Sequence, residues 1–357
     1  MSERPRQPGH PADRLRTAIP RWWRGEVDGA AWRALGAALA PAEALYRLSV
    51  AARNALYERG LRRPRRVGAV VVSVGNLAVG GTGKTPFARW MADQLEARGA
   101  RVAILHGGYA PDEPALHRAW RPGSLVIAMR DRVAAAQLAI RQGATALVLD
   151  DGFQHRRLHR DLDVVLVAAE SWAVRERLLP RGPWREPRTA LARADVVVVT
   201  RKTAGGGTAE RVARDVSGLA PGAAVARAHL RPGGWRVRGA SRPAGPVGKV
   251  VAVCGVAGPE HFFANARQAG ADIAEELVFG DHHAYTAGDL ERIREAADGR
   301  PVVTTAKDAV KLADLDPELE LWVLQQDVVI EEGAEALSAA LDALLDRRPA
   351  LEGGRVR

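Results

Sequence analysis

A chain of 357 residues, 47% of them hydrophobic, is long enough to bury one large or two medium cores. Its single cysteine, Cys254, excludes an intrachain disulfide and suits a reducing compartment, and no apolar run approaches the roughly 20 residues that span a bilayer. The net charge of +10 is uneven: residues 1–66 hold 14 Arg and no Lys against 6 acidic residues, an excess of +8, whereas the other 291 residues hold 38 basic and 36 acidic groups. Such a distribution argues against a nucleic-acid reading of the whole charge, and the confined N-terminal excess suits an anionic lipid surface or RNA.

Residues 1–20 are rich in Pro, Arg and Gly, and too polar and arginine-studded for a signal peptide. Arg21-Trp22-Trp23-Arg24 then sets two large aromatics between cations, a composition suited to a lipid headgroup region. Helical spacing follows over 30–40 and 42–59, separated by Pro41. Trp32, Leu35 and Leu39 and then Leu45, Leu48, Ala52 and Leu56 form a stripe flanked by Arg47, Arg53 and Arg59. The stripe reads as an interfacial helix; packing in a core is the alternative.

The apolar run 67–74 predicts a buried strand. It opens into GNLAVGGTGKTP, Gly75 to Pro86, and then a helix over 87–98. Strand, glycine-dense turn and helix in that order make a phosphate-binding loop, because several backbone N–H groups converge on an anion at a helix N-terminus. Ala78, Val79, Gly80, Gly81, Thr82, Gly83, Lys84 and Thr85 occupy the positions of G-x-x-x-x-G-K-[ST], with Ala78 where the first glycine is usual. Lys84 supplies charge for the outer phosphates of ATP, and the Thr85 hydroxyl can ligate Mg2+.

A second strand over 101–105 ends in His106-Gly107-Gly108-Tyr109, and Pro111-Asp112-Glu113-Pro114 reads as an acidic, proline-bounded loop at its carboxyl end. A strand over 125–128 and a helix over 132–142 come next. The strand over 145–149 ends in Asp150-Asp151-Gly152-Phe153-Gln154-His155, where an acidic pair at the tip of an apolar strand suits the metal-holding motif of nucleoside triphosphatases. Strands over 164–168 and 196–200 bracket the proline-rich LLPRGPWREP, Leu178 to Pro187, and 204–207 reads as a flexible connection. Beyond it come strands near 223–230, 250–253, 277–279, 302–305 and 321–324, with helices near 259–268 and 287–297. In that half Gly280-Asp281-His282-His283-Ala284-Tyr285 is a candidate proton-transfer element, with a solvated loop as the alternative. No CxxC or HExxH completes a zinc set.

The predicted class is α/β: a P-loop NTPase-like domain with a mostly parallel sheet over 67–205, a smaller C-terminal α/β domain over 206–357, and an amphipathic, membrane-associating helical segment over 1–66.

Taken together, GNLAVGGTGKTP, LDDGFQH, LLPRGPWREP, FGDHHAYT and TTAKDAVKL occur in an order and spacing that resembles the tetraacyldisaccharide 4'-kinase (lipid A 4'-kinase) family, over about residues 35–324. The resemblance implies ATP- and Mg2+-dependent phosphorylation of the 4'-hydroxyl of a lipid A disaccharide precursor. It also implies a peripheral enzyme at the cytoplasmic face of the bacterial inner membrane, held to that anionic surface by its N-terminal segment. It makes Lys84 and Thr85 the holders of phosphate and magnesium, Asp150 and Asp151 the organisers of the metal, and Gln154, His155 and Arg185 residues that line the site. Asp112 becomes the acceptor of the sugar hydroxyl's proton, with Asp151 as the substitute, and His282 or His283 the group that polarises Asp112. The family's SRGYG reads here as His106-Gly107-Gly108-Tyr109-Ala110, and the glutamate of its TEKD is Ala306.

Two other classes compete. A P-loop GTPase acting as a metal chaperone or maturation factor needs an N/T-K-x-D stretch late in the first domain; none is present, and Lys307-Asp308 lacks the intervening residue. An RNA-binding ATPase lacks aromatic-rich strand motifs.

Overall fold

The computed structural model describes residues 18–346 except 110, 111, 238, 239, 243, 257 and 282. After a helical stretch at residues 18–23 come α1 (Ala30–Ala38) and α2 (Ala40–Glu58), followed by β1 (Val70–Asn76), α3 (Lys84–Ala97) and β2 (Val102–His106). Then come α4 (Asp112–Trp120), β3 (Leu125–Ala128), α5 (Arg132–Arg141), β4 (Ala146–Asp150), β5 (Leu162–Ala168) and β6 (Val196–Arg201). The second half holds α6 (Gly206–Leu219), β7 (Ala224–Val237), β8 (Ala240–Arg242), β9 (Lys249–Cys254), α7 (Pro259–Gln268) and β10 (Asp272–Val278). It closes with α8 (Ala287–Ala297), β11 (Val302–Thr305), α9 (Ala306–Leu315), β12 (Leu321–Glu332) and α10 (Ala334–Asp346).

The strands make one sheet in the order β10-β9-β11-β12-β7-β6-β5-β1-β4-β2-β3, with β8 beside β7. Pairing is parallel from β7 to β3 and from β12 to β10, and antiparallel only in β12–β7 and β7–β8. A mostly parallel α/β fold is therefore present, in two parallel blocks joined through an antiparallel pair. β1 is flanked by β4 and β5, so the chain changes direction across the sheet beside it. Such a switch point opens a crevice at the carboxyl ends of the strands, where the phosphate loop begins.

The alternation of side chains along β1 explains why both sheet faces are covered. Val70, Val72 and Val74 face α3, where Phe87, Met91 and Leu95 recur at i, i+4 and i+8, all fully buried. Val71 faces the other layer with Val133, Ala135, Ala136 and Ala139 of α5. Burying each large side chain of α3 contributes about 1.5–3 kcal/mol.

Two features differ from the sequence reading. Helix α6 begins where a flexible connection was expected and packs Ala209, Val212 and Val216 beside Val197 and Val199 of β6. The chain also returns at its end: Leu337, Leu341 and Leu344 of α10 lie in the same core as β1 and α3. We read the change of unit within the long strand β7, with α6 and α10 completing the nucleotide-side cores.

Helix α2 turns Glu43 and Val50 inward, whereas Leu45 and Leu48 are 69% and 66% exposed. The predicted stripe therefore faces outward at these two positions, and no helix among the described residues is long and apolar enough to cross a membrane.

Candidate active site

The phosphate loop is held from three sides. Asn76 at the end of β1 donates its Nδ2–H to Thr82 Oγ1 at 2.9 Å, and Thr200 of β6 donates to the Thr82 carbonyl at 3.0 Å. The first half of the loop pairs with the proline-rich segment: the Val79 N–H donates to the Pro183 carbonyl at 2.8 Å, the Arg185 N–H to the Leu77 carbonyl at 2.7 Å, and Ala78 bridges Trp184. This pairing explains the missing first glycine, since Ala78 sits in an antiparallel bridge and has no left-handed backbone. Gly83 is different. It precedes α3 with φ +86°, and a Cβ there would lie 2.1 Å from Leu230 Cδ1, so only glycine fits. The helix then starts at Lys84, with the Thr85 side chain buried in its first turn.

Opposite the loop, β4 delivers the acidic pair. Asp150 is fully buried. Its Oδ2 lies 2.9 Å from His117 Nε2 of α4, its backbone carbonyl accepts from Arg132 at 3.1 Å, and its Oδ1 has no hydrogen-bond partner among the described residues. Asp151 turns away in the left-handed region at φ 60°, which Asp adopts more readily than most residues. That turn carries its carboxylate to 3.6 Å from Lys84 Nζ and to 2.7 Å from Arg185 Nη1. Burial alone would raise the Asp151 pKa, but Lys84 and Arg185 outweigh it and hold the group below the usual carboxylate range.

The segment expected as an acidic loop is instead the start of α4. Asp112 and Glu113 occupy its first turn, where exposed N–H groups favour negative charge, and Pro114 costs no hydrogen bond there. Asp112 is 4% exposed, with Lys311 Nζ 3.9 Å from its Oδ2. Glu113 lies 2.7 Å from Lys307 Nζ and 2.7 Å from His106 Nε2. Burial opposes its ionisation, but His106 and Lys307 prevail and keep it well below the ordinary carboxylate range. His106, Glu113 and Asp150 place ligand atoms within 4.8 Å of one another. They are nonetheless a poor metal set: His106 Nδ1 accepts from the Gly108 N–H at 3.1 Å, so the neutral ring carries its proton on Nε2 and donates to Glu113.

Of the other expected residues, Gln154 donates to the Asn76 carbonyl at 2.9 Å and to Glu186 at 3.3 Å, directly behind the loop. His155 is half-buried beside Arg132 and Leu158, and its pKa is lowered to about 4 by burial first and then by Arg132. His282 lies outside the described residues, and His283 Nε2 bonds Asp289 Oδ2 at 3.0 Å, within the capping box that Thr286 and Asp289 form at the start of α8. The ring also packs 4.9 Å from Phe279. Among the described residues, Lys311 is a cation beside Asp112.

Sequence reasoning missed four residues. Lys307 and Lys311 stand one turn apart on α9, and that i, i+4 spacing within TTAKDAVKL was the available signal. Glu186 is fully buried on Arg193 at 2.8 Å and on Asn54 of α2 at 2.8 Å, so it locks the proline-rich segment to the N-terminal helix. His117, the partner of Asp150, carried no signal beyond its place on the helix that follows β2.

The family model described as tetraacyldisaccharide-1-P 4'-kinase (LpxK) matches residues 35–111 and 110–346. A tetraacyldisaccharide 4'-kinase of Anaeromyxobacter dehalogenans (strain 2CP-1) is 42% identical over 367 residues, covering 91% of this chain and 94% of its own. One from Halorhodospira halophila is 40% identical, covering 94% and 99%. Among solved structures, the "apo" form of LpxK from Aquifex aeolicus in complex with ATP superposes with a TM-score of 0.69 at 27% identity, covering 87% of this chain and 99% of that one.

Proposed function

This chain belongs to the tetraacyldisaccharide-1-P 4'-kinase family, and from that premise we propose how its own residues perform the reaction. It is a kinase that phosphorylates the 4'-hydroxyl of a tetraacyldisaccharide 1-phosphate lipid A precursor with ATP. The reading as a GTPase maturation factor is set aside, since the match extends through both halves of the chain.

One observation carries the assignment of roles: Lys84 of the phosphate loop, the acidic tip of β4 and the acidic start of α4 converge on the same mouth at the carboxyl ends of β1, β4 and β2. Loop N–H groups from Gly80 to Thr85 cradle the phosphates, the Val79 N–H being taken by the Pro183 carbonyl, and Lys84 with Arg185 offsets charge on the γ-phosphoryl group as it moves. The donor set fits a magnesium ion, because Asp150 keeps a buried carboxylate oxygen that has no hydrogen-bond partner among the described residues, and Asp151 and Thr85 add further hard oxygens. When bound, that ion neutralises charge shared between the β- and γ-phosphates. The sugar oxygen forms its bond to phosphorus as the bond from phosphorus to the leaving oxygen of ADP breaks, and the hydroxyl proton passes to Asp112. Lys311, 3.9 Å from the Asp112 carboxylate, supplies positive charge beside it. In this reading one of His282 and His283 polarises Asp112, and Gln154 and His155 shape the wall beneath the acceptor.

We place the enzyme peripherally at the cytoplasmic face of the inner membrane. The exposed Leu45 and Leu48 and the arginine excess of residues 1–66 support that reading.

The decisive experiment incubates the protein with γ-labelled ATP, Mg2+ and tetraacyldisaccharide 1-phosphate. Label should enter the lipid, and Lys84→Ala should lower the rate by orders of magnitude without loss of fold. ATP consumption with no label in the lipid would overturn the acceptor assignment.

A further inference from the structure

Lys202 follows the last residue of β6 and stands at the carboxyl edge of the sheet beside the phosphate loop. Its backbone is fixed by Glu170, at the end of β5, whose Oε1 accepts the N–H groups of Lys202, Thr203 and Ala204 at 2.6, 3.0 and 3.1 Å. Two positions earlier, Thr200 is tied to the loop through the Thr82 carbonyl at 3.0 Å. With both ends held, the side chain runs across the loop, and its ammonium stands 3.2 Å from the point where a Cβ on Gly81 would be. The three other lysines of this region each have a carboxylate: Asp151 for Lys84 at 3.6 Å, Glu113 for Lys307 at 2.7 Å, and Asp308 for Lys311 at 3.4 Å. Among the described residues no carboxylate oxygen lies within 4.0 Å of the Lys202 ammonium. Glu170 is saturated instead by backbone N–H groups.

We propose that Lys202 is a ligand of the nucleotide's outer phosphates, contributed by the end of β6 and seated against Gly81 on the phosphate loop. The inference rests on the ATP-kinase reading above. Three facts support it. The ammonium adjoins the loop that cradles phosphate. Among the described residues it makes no direct ion pair, and Glu170 and Glu260 act on it only through space. It also shares a field with like charges: burial depresses the Lys202 pKa, Glu170 and Glu260 oppose that, and Lys307 and Lys84 push it further down. An ammonium beside other cations at one mouth favours a polyanion, and a triphosphate supplies that charge. The small residue at position 81 then has a second purpose, since a methyl group there would press on the ammonium and shift it by a few tenths of an ångström.

The test compares full-length wild type, Lys202→Met, Lys202→Arg and Gly81→Ala by calorimetric titration with ATP, ADP and AMP. Steady-state kinetics on the same proteins vary ATP and the acceptor lipid separately. Loss of one charge-assisted contact corresponds to about a ten- to hundredfold effect. Lys202→Met should therefore weaken ATP and ADP by about that factor and raise KM for ATP, with AMP affinity, KM for the lipid and Tm unchanged. Lys202→Arg should recover part of the loss, and Gly81→Ala should reproduce it. Unchanged ATP affinity in Lys202→Met overturns the proposal, and so does an equal loss for ATP and AMP, which would put the lysine at the nucleoside. Either result leaves the kinase reading intact. Conversely, a wild type that binds ATP in this pattern but fails to label the lipid sinks the substrate assignment and leaves Lys202 standing.

Discussion

The Lys307 ammonium stands 2.7 Å from the Glu113 carboxylate although the two residues are 194 positions apart and belong to different parallel blocks of the sheet. Glu113 opens α4 beside Asp112, and Lys307 begins α9, so this ion pair is a direct link between the nucleotide side and the C-terminal block at the mouth of the site. Glu113→Gln deprives Lys307 of its carboxylate partner, and Lys307→Met leaves the Glu113 carboxylate with His106 alone. Each should lower kcat/KM by about tenfold, while the double variant should lose little more, which corresponds to a coupling of about 1–3 kcal/mol. Additive losses in a double-mutant cycle would show that the two side chains act independently.

How far the sequence reaches is clear from particular elements. β1, the loop and α3 are legible because buried β-branched run, glycines and Lys84-Thr85 follow one another within a few residues, and each part is a local signal. The bounds of α7, Pro259–Gln268, and α8, Ala287–Ala297, match the reading because Pro259 sits at a helix start and Thr286 with Asp289 forms a capping box. α4 was read as a loop since prolines flank its acids, yet a helix tolerates proline in its first turn. Contacts such as Lys307 with Glu113 are beyond sequence pattern altogether. The same holds for α10: the spacing of Leu337, Leu341 and Leu344 marks an apolar face, but not that the face closes the core under β1. β7 runs through Pro232-Gly233-Gly234, which by propensity should end a strand. It continues because β12 pairs with it across a register shift between Leu324 and Gln326.

Asp112 is the candidate proton acceptor, and its neighbour makes the assignment testable. Asp112→Asn should lower kcat by about 10²–10⁴-fold with ATP affinity unchanged. Lys311 lies 3.9 Å from the carboxylate and favours its ionised form, so Lys311→Met should move the acid limb of the kcat profile to higher pH. His282→Ala and His283→Ala should have smaller effects on kcat, and the latter should also lower Tm by removing the bond to Asp289. Wild-type turnover by Asp112→Asn would transfer the acceptor role to Asp151.

His155 gives a prediction for stability. Its folded pKa is about 4 against an ordinary value of 6.5, owing first to burial and then to Arg132, so the ring is neutral in the folded enzyme near pH 7. A group whose pKa is depressed on folding contributes stability above its unfolded pKa and loses it as pH falls. For His155 that window runs from pH 6.5 down to about 4. Allowing for its partial exposure, the loss is about 1–2 kcal/mol. His155→Gln removes the titration, so urea unfolding at pH 7.5 and pH 4.5 should show a smaller acid destabilisation in the variant than in wild type. Equal losses in both would mean that the ring is charged in the folded state.

The last prediction concerns how the site meets its lipid. α2 is fastened to the proline-rich segment by Glu43, which accepts the Leu178 N–H at 2.9 Å, by Tyr46, whose hydroxyl donates to the Arg185 carbonyl at 3.2 Å, and by Asn54 on Glu186 at 2.8 Å. Arg185 in turn holds Asp151, so the helix is mechanically continuous with the catalytic mouth. Its other face leaves Leu45 and Leu48 in water, where each forgoes about 1.5–3 kcal/mol that burial in an apolar phase would supply. Changing both to Asp removes that gain without touching the docked face. The variant should keep its Tm and ATP affinity, and its partition onto anionic vesicles should fall by at least about tenfold. High salt should weaken wild-type binding only in part, because the arginine contribution is screened and the leucine contribution is not. Phosphorylation of vesicle-embedded substrate should then fall while that of detergent-dispersed substrate holds. If vesicle binding and both activities survive the double change, the exposed leucines are not the membrane contact, and the arginines of residues 1–66 must carry it by charge alone.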